Sequence, residues 1–158
     1  MYQLIFKQQV TKGFANISKA NFEAVLSLFA EDIHFTFVGN HALGGDWHDR
    51  AMAKRWFERV HRLFPDLQLR PKQIRVAGWP WDVTVTTQFA ITATLPDKSQ
   101  YRNEGVQILR IRWGTIVSDY LIEDTQLLST ALAQIASRGN VEAAEGRLSP
   151  PLSPLPTS

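Results

Sequence analysis

Residues 101–135 read YRNEGVQILRIRWGTIVSDYLIEDTQLLSTALAQI, and the changes of period inside them decide the fold. From Tyr101 to Trp113 apolar and polar residues alternate, the two-residue period of a strand with one buried face. Arg112-Trp113-Gly114-Thr115 interrupts the run with a turn glycine, and IVSDYLIE resumes it. Two such runs joined this closely make an antiparallel hairpin. After Glu123 the spacing becomes helical. Asp124 or Thr125 caps a helix with Leu127, Leu128, Ala131, Leu132 and Ile135 on one side.

The same pattern extends back towards the N-terminus. VTVTTQFAITATL, after the Trp79-Pro80-Trp81-Asp82 corner, is a long strand, and LQLRPKQIRVAG before it is another. Pro71 lacks a backbone donor and assigns that strand to an edge or a bulge. Ala53, Trp56, Phe57, Val60 and Phe64 form the apolar stripe of a helix that Pro65 ends. AEDIHFTFVG is a strand closed by Gly39. Ahead of it, Phe6, Val10, Phe14 and Ile17 mark one helix, and Phe22, Val25, Leu26 and Phe29 mark a second after a cap at Asn21. The order is ααβαββββα. Sequential strands with gathered helices give an α+β fold, a curved antiparallel sheet packed on three to four helices around an internal pocket.

The 158 residues suit one domain, expected over 1–138. Residues 139–158 are expected to be a Pro-rich tail outside the fold; LSPPLSPLPTS, from Leu148, holds four of the eight prolines. There is no cysteine, which excludes disulfides, thiolate metal sites and a cysteine nucleophile. A formal charge of +2 gives no ground for nucleic-acid binding. Arg55, Arg59 and Arg62 are read as a solvated helix face. No apolar run approaches the roughly 20 residues of a membrane span, and MYQLIFKQQV carries no cleavage pattern. A cytoplasmic location is expected, with no membrane partner. No nucleotide-binding or hydrolase motif is present, and no cofactor is expected. His34, His41 and His48 are spaced by seven, which places no ligand set on one element, so no metal site is expected.

FAEDIHF (29–35), ALGGDWHDRAMAKRWFERV (42–60), RLFPDLQL (62–69), EGVQILRIRWGTIV (104–117) and EDTQLL (123–128) resemble the SnoaL-like branch of the nuclear-transport-factor-2-like superfamily. The branch includes polyketide cyclases and ketosteroid-isomerase-like proteins, and the likeness covers about residues 5–135. It implies a cone-shaped fold with a pocket, cofactor-free isomerase, cyclase or lyase chemistry, and a homodimer through the outer sheet face. Val83, Val85 and Phe89 are expected on that face. The resemblance also implies a histidine at position 107 and an aspartate at 121, where this chain has Gln107 and Leu121. Neither residue moves protons at any ordinary pH.

Other groups would have to supply the chemistry. A two-residue turn at Trp113-Gly114 would pair Gln107 with Tyr120. A three-residue loop with a glycine bulge would pair it with Asp119 and is favoured by the wording of the turn. In that register Gln107, Leu109, Asp119, Leu121 and Glu123 share the pocket face. A slip of one residue would leave Asp119 and Glu123 as surface charges. The expected catalytic set is Asp119 or Glu123 as base, with His41 and Gln107 polarising a carbonyl. Asn103, Trp47, Trp56, Gln107 and Leu121 are the expected ligand contacts, the ligand being a small hydrophobic molecule. A non-catalytic binding, dimerisation or adaptor module is the alternative.

Overall fold

In the computed structural model, which describes residues 1–151, the hairpin that decides the fold is the centre of a six-stranded sheet. The helices are α1 (Tyr2–Ser18), α2 (Phe22–Leu26), α3 (Arg50–Leu63) and α4 (Thr125–Ser137). The strands are β1 (Phe29–Phe37), β2 (Gly45–Trp47), β3 (Gln68–Trp79), β4 (Asp82–Thr94), β5 (Gln100–Arg112) and β6 (Thr115–Glu123), in the sheet order β2-β1-β6-β5-β4-β3. The architecture is α+β, as the alternation of periods implies. Two features differ from the expected layout. The GDW strand β2 is too short to show a period, and β1 pairs in parallel with β6, so the sheet is mixed. Phe29 opens β1 instead of closing α2, and Asn21 makes no side-chain cap.

Local chemistry sets the ends of the elements. Asp49 accepts from Ala51 N at 2.7 Å and caps α3; Asp124 accepts from Gln126 N and Leu127 N and caps α4. Pro71 lies on the edge strand β3 beside a bulge, where no ladder donor is lost.

The concave face of the sheet is closed by α1, α3 and α4. Phe6, Val10 and Phe14 of α1 and Trp56, Phe57 and Val60 of α3 are buried against it. Trp56 packs between Phe35 and Phe37, with ring centroids at 5.1 and 5.2 Å. Val83, Val85 and Phe89 belong to this core, not to the outer face as expected; each is at most 2% exposed. The outer face presents Ile108, Tyr120 and Ile122 instead, all partly exposed. At one end of the sheet Trp79, Trp81 and Trp113 stack in succession, at 5.8 and 6.4 Å, and remain in solvent.

The segment after α4 is not a loose tail throughout. Val141–Ala144 forms a 3-10 turn, Ala143 and Leu148 are buried, and Leu148 O accepts from Trp47 Nε1 at 2.8 Å. Arg59, expected in solvent, is 6% exposed. It binds Glu142, Glu145 and the carbonyl of Ala42, while Arg62 grips Glu142 at 2.8 and 2.9 Å. The two arginines thus tie residues 142–146 to α3. Of the proline-rich stretch, residues 152–158 lie outside the described residues. Among the described residues, no helix is long and apolar enough to cross a membrane.

Candidate functional site

The β5–β6 hairpin positions the site, by a route different from the expected one. Trp113 (φ 50°) and Gly114 (φ 79°) form a two-residue turn with both central residues left-handed. Arg112 therefore pairs with Thr115, and Ile111 with Ile116. The ladder then shifts, and Arg110 pairs with Ser118, leaving Val117 as an extra residue on β6. Beyond the bulge Leu109 faces Asp119, Gln107 faces Leu121 and Gly105 faces Glu123. The expected three-residue loop is not formed. The bulge nonetheless turns Asp119 to the same side as Gln107, because it displaces the register by an odd number of residues.

That side lines a cavity of about 120 Å³ enclosed by α1, α3 and the curved sheet. That is a little below the roughly 150 Å³ of an apolar cavity that binds benzene, so it has room for a small ring. The walls are aromatic and aliphatic, Phe14, Trp56, Phe89 and Leu121 among them. Polar groups enter from β5 and β6: Gln107, Asp119, Glu123 and Tyr101.

Asp119 is 2% exposed. Its Oδ2 accepts from Gln107 Nε2 at 3.1 Å, and its Oδ1 is buried without a partner. Burial opposes the ionised form and pushes the carboxyl up to about 7, against a smaller lowering by the Gln107 hydrogen bond. Glu123 is pushed up to about 8, again by burial, while its hydrogen bond with Tyr101 lowers it slightly. The residue lines the cavity and as a whole keeps some surface. Tyr101 is itself raised, chiefly by burial and next by the nearby Glu123 charge. Burial thus favours the neutral form of both cavity carboxyls.

The expected residues divide into two groups. Asp119, Glu123, Gln107, Leu121 and Trp56 meet at the cavity. His41, Asn103 and Trp47 do not line it. His41 is buried beside Phe37, its Nδ1 accepting from Leu43 N at 3.2 Å. Burial lowers its pKa, which favours the neutral imidazole. Trp47 stacks on Phe35 and donates to Leu148 O; it fixes the segment after α4 and leaves no face for a ligand. Asn103 donates to Tyr101 Oη at 2.7 Å and to Asp124 O at 3.0 Å, and so holds the tyrosine in place. Tyr101 itself was missed by sequence reasoning. The signal was available in its parity, which it shares with Asn103, Gly105 and Gln107 along β5.

A second polar cluster forms on the opposite face of the sheet. His34, Asp46 and His48 offer ligand atoms within 4.8 Å of one another. The equal spacing of the three histidines concealed this, since β2 folds back on β1 and brings in Asp46.

Comparison with known proteins agrees with this architecture. The chain superposes on Bal32a, from a soil-derived mobile gene cassette, with a TM-score of 0.70 at 13% identity, covering 83% of this chain and 97% of that one. It is similar to TerC, co-crystallised with polyporic acid, with a TM-score of 0.68 at 17% identity, covering 83% and 98% of the two chains. A protein of ketosteroid isomerase-like fold from Catenulispora acidiphila gives a TM-score of 0.64 at 23% identity, covering 80% of this chain and 91% of its own. A search of curated proteins by sequence finds no match. The SnoaL-like domain model matches residues 10–119, from α1 to the buried carboxyl on β6. With that match over most of the folded chain, the chain belongs to the SnoaL-like domain family.

Proposed function

We propose that the protein binds a small hydrophobic carbonyl compound in this cavity and moves a proton on it without a cofactor. The observation that carries the reading is Asp119, a buried carboxyl with a free oxygen on an apolar cavity and a proton affinity near neutrality. Such a group is suited to general base work, because its ionised form is present and poorly solvated. Asp119 takes the proton from a carbon next to the carbonyl. The electron pair passes to the carbonyl oxygen, and the neutral Glu123–Tyr101 pair donates a hydrogen bond to it. Return of the proton from Asp119 to a different carbon gives isomerisation, and attack of the enolate on a second carbonyl gives cyclisation.

The test is deuterium uptake from D2O into cyclopentanone and cyclohexanone, two apolar ketones of about the size the cavity admits. Uptake above the buffer rate, abolished in Asp119→Asn, supports the reading. Saturable binding with no uptake in the wild type favours the second reading, a non-catalytic pocket. That alternative draws on Gln107 and Leu121, at positions where the family resemblance implies a histidine and an aspartate.

We also propose a homodimer, formed through the outer-face residues Ile108, Tyr120 and Ile122, which leave apolar surface in water on adjacent strands. Sedimentation equilibrium tests it. A dimer that dissociates in Ile108→Glu supports this surface; a wild-type monomer contradicts it.

A further inference from the structure

His34 and His48 face outward from β1 and from the end of β2, on the side of the sheet away from the cavity. Their neighbours Phe35 and Trp47 are the buried pair of the same ladder. Phe35 pairs with Trp47 and Thr36 with Asp46, so continuing the ladder by one residue sets His34 opposite His48. Asp46 is then the diagonal neighbour of His34 on the same face. The two imidazoles stack at 4.1 Å with 16° between their planes, and His34 Nε2 lies 2.6 Å from Asp46 Oδ1.

We propose that His34, Asp46 and His48 form a binding site for a borderline-soft divalent transition ion, of which Zn2+ is the representative. The donor set is two imidazole nitrogens and one carboxylate oxygen. It suits zinc and its first-row neighbours, and it is poor for magnesium or calcium, which take oxygen ligands. The three donor atoms already lie within 4.8 Å of one another. Donors at about 2.0–2.2 Å from a tetrahedral zinc stand about 3.4 Å apart, so small side-chain rotations close the set. His48 and Asp46 are exposed and His34 is half-exposed, which leaves those rotations free.

The backbone beneath them is fixed on both sides. The β1–β2 ladder holds Thr36 against Asp46, and the cap at Asp49 pins the chain directly after His48. Thr36 Oγ1 donates to Asp46 Oδ1 at 3.3 Å, an outer hydrogen bond that orients the carboxylate. The short His34–Asp46 contact already holds two of the three donors side by side, and the cation bridges them. Three protein ligands leave one position open to solvent or to an anion. The sheet separates this cluster from the Asp119 cavity, so the inference is independent of the catalytic reading.

The test uses the full chain, stripped with a chelator and titrated calorimetrically with ZnCl2. The expected result is one Zn2+ per chain. His34→Ala and His48→Ala should each weaken it at least about tenfold, the scale on which even supporting ligand contacts act. His61→Ala, an exposed histidine on α3 far from the site, should leave it unchanged. Co2+ should develop a visible absorption band of low coordination number that is lost in the same two variants. Absence of saturable binding to the wild type would overturn the proposal. So would equal binding by the His34→Ala, His48→Ala double variant, whose fold is checked by an unchanged thermal transition.

Discussion

Asp119 sits where water cannot solvate it, one oxygen on Gln107 and the other on the cavity. The unfolded carboxyl ionises near its ordinary value of 3.8, and the folded one at about 7. Between those values the folded chain holds a proton that the unfolded chain has lost, so stability falls as pH rises through this window and levels off above it. Asp119→Asn keeps the shape and removes the charge. We predict that it stabilises the protein at pH 8 by on the order of 2–4 kcal/mol, leaves stability at pH 4 nearly unchanged, and abolishes proton transfer; urea unfolding at the two pH values checks the first two. Catalysis by the wild type should rise with pH through about 7, as the base ionises. A rate profile on the ketone probes reads this directly. The sequence left Asp119 open between two registers; the three-residue loop that favoured the inward one is not formed, and the inward turn comes from the bulge at Val117. The exclusion of His41 was not legible, because its loop folds inward onto Phe37, and a glycine-rich loop gives no parity to read.

At the scale of elements, the hairpin shows how a right facing arises from a different register. Ile116 and Asp119 are three residues apart, which strict alternation places on opposite faces; the extra residue Val117 puts both inside. A bulge of this kind has no composition signature, unlike the Trp113-Gly114 turn. The long strands, the cap at Asp124 and the edge position of Pro71 were legible, because each follows from local chemistry; the cap at Asp49 was not read from the sequence. The three-residue β2 and the parallel β1–β6 pairing were not, being set by how distant segments meet. Gly105 marks a close approach on the cavity side of β5. A Cβ there would meet Phe89 Cζ at 2.6 Å and Ile122 O at 3.0 Å. Gly105→Ala should therefore cost about 1–3 kcal/mol and displace Phe89 from the cavity wall, measurable as a lower urea midpoint with an unchanged slope.

For the whole molecule, residues 141–148 after α4 are part of the folded body and not an appendage. They cover Trp47 and supply the carboxylates that neutralise the buried Arg59. The charges were visible in the sequence, but their pairing across more than 80 residues was not, and Arg59 therefore read as a solvated cation. Glu142→Gln with Glu145→Gln leaves that guanidinium buried with carbonyl partners alone, and should cost about 2–3 kcal/mol at pH 7. Glu142 is held below its ordinary pKa by Arg62 first and then by Arg59. Its contribution is present above the unfolded value and is lost as pH falls through the folded one. Thermal melts of the double variant and wild type should thus converge in acid.

A single titration bears on the central claim. Carbon-13 NMR of protein labelled at the aspartate carboxyls, with Asp119→Asn to assign the resonance, follows the ionisation of Asp119 without any ligand. An inflection at about 7 places an ionisable base in the apolar cavity at working pH. An Asp119 resonance that titrates with the surface carboxylates, near the ordinary value of 3.8, would show a solvated carboxyl and contradict the proposed chemistry.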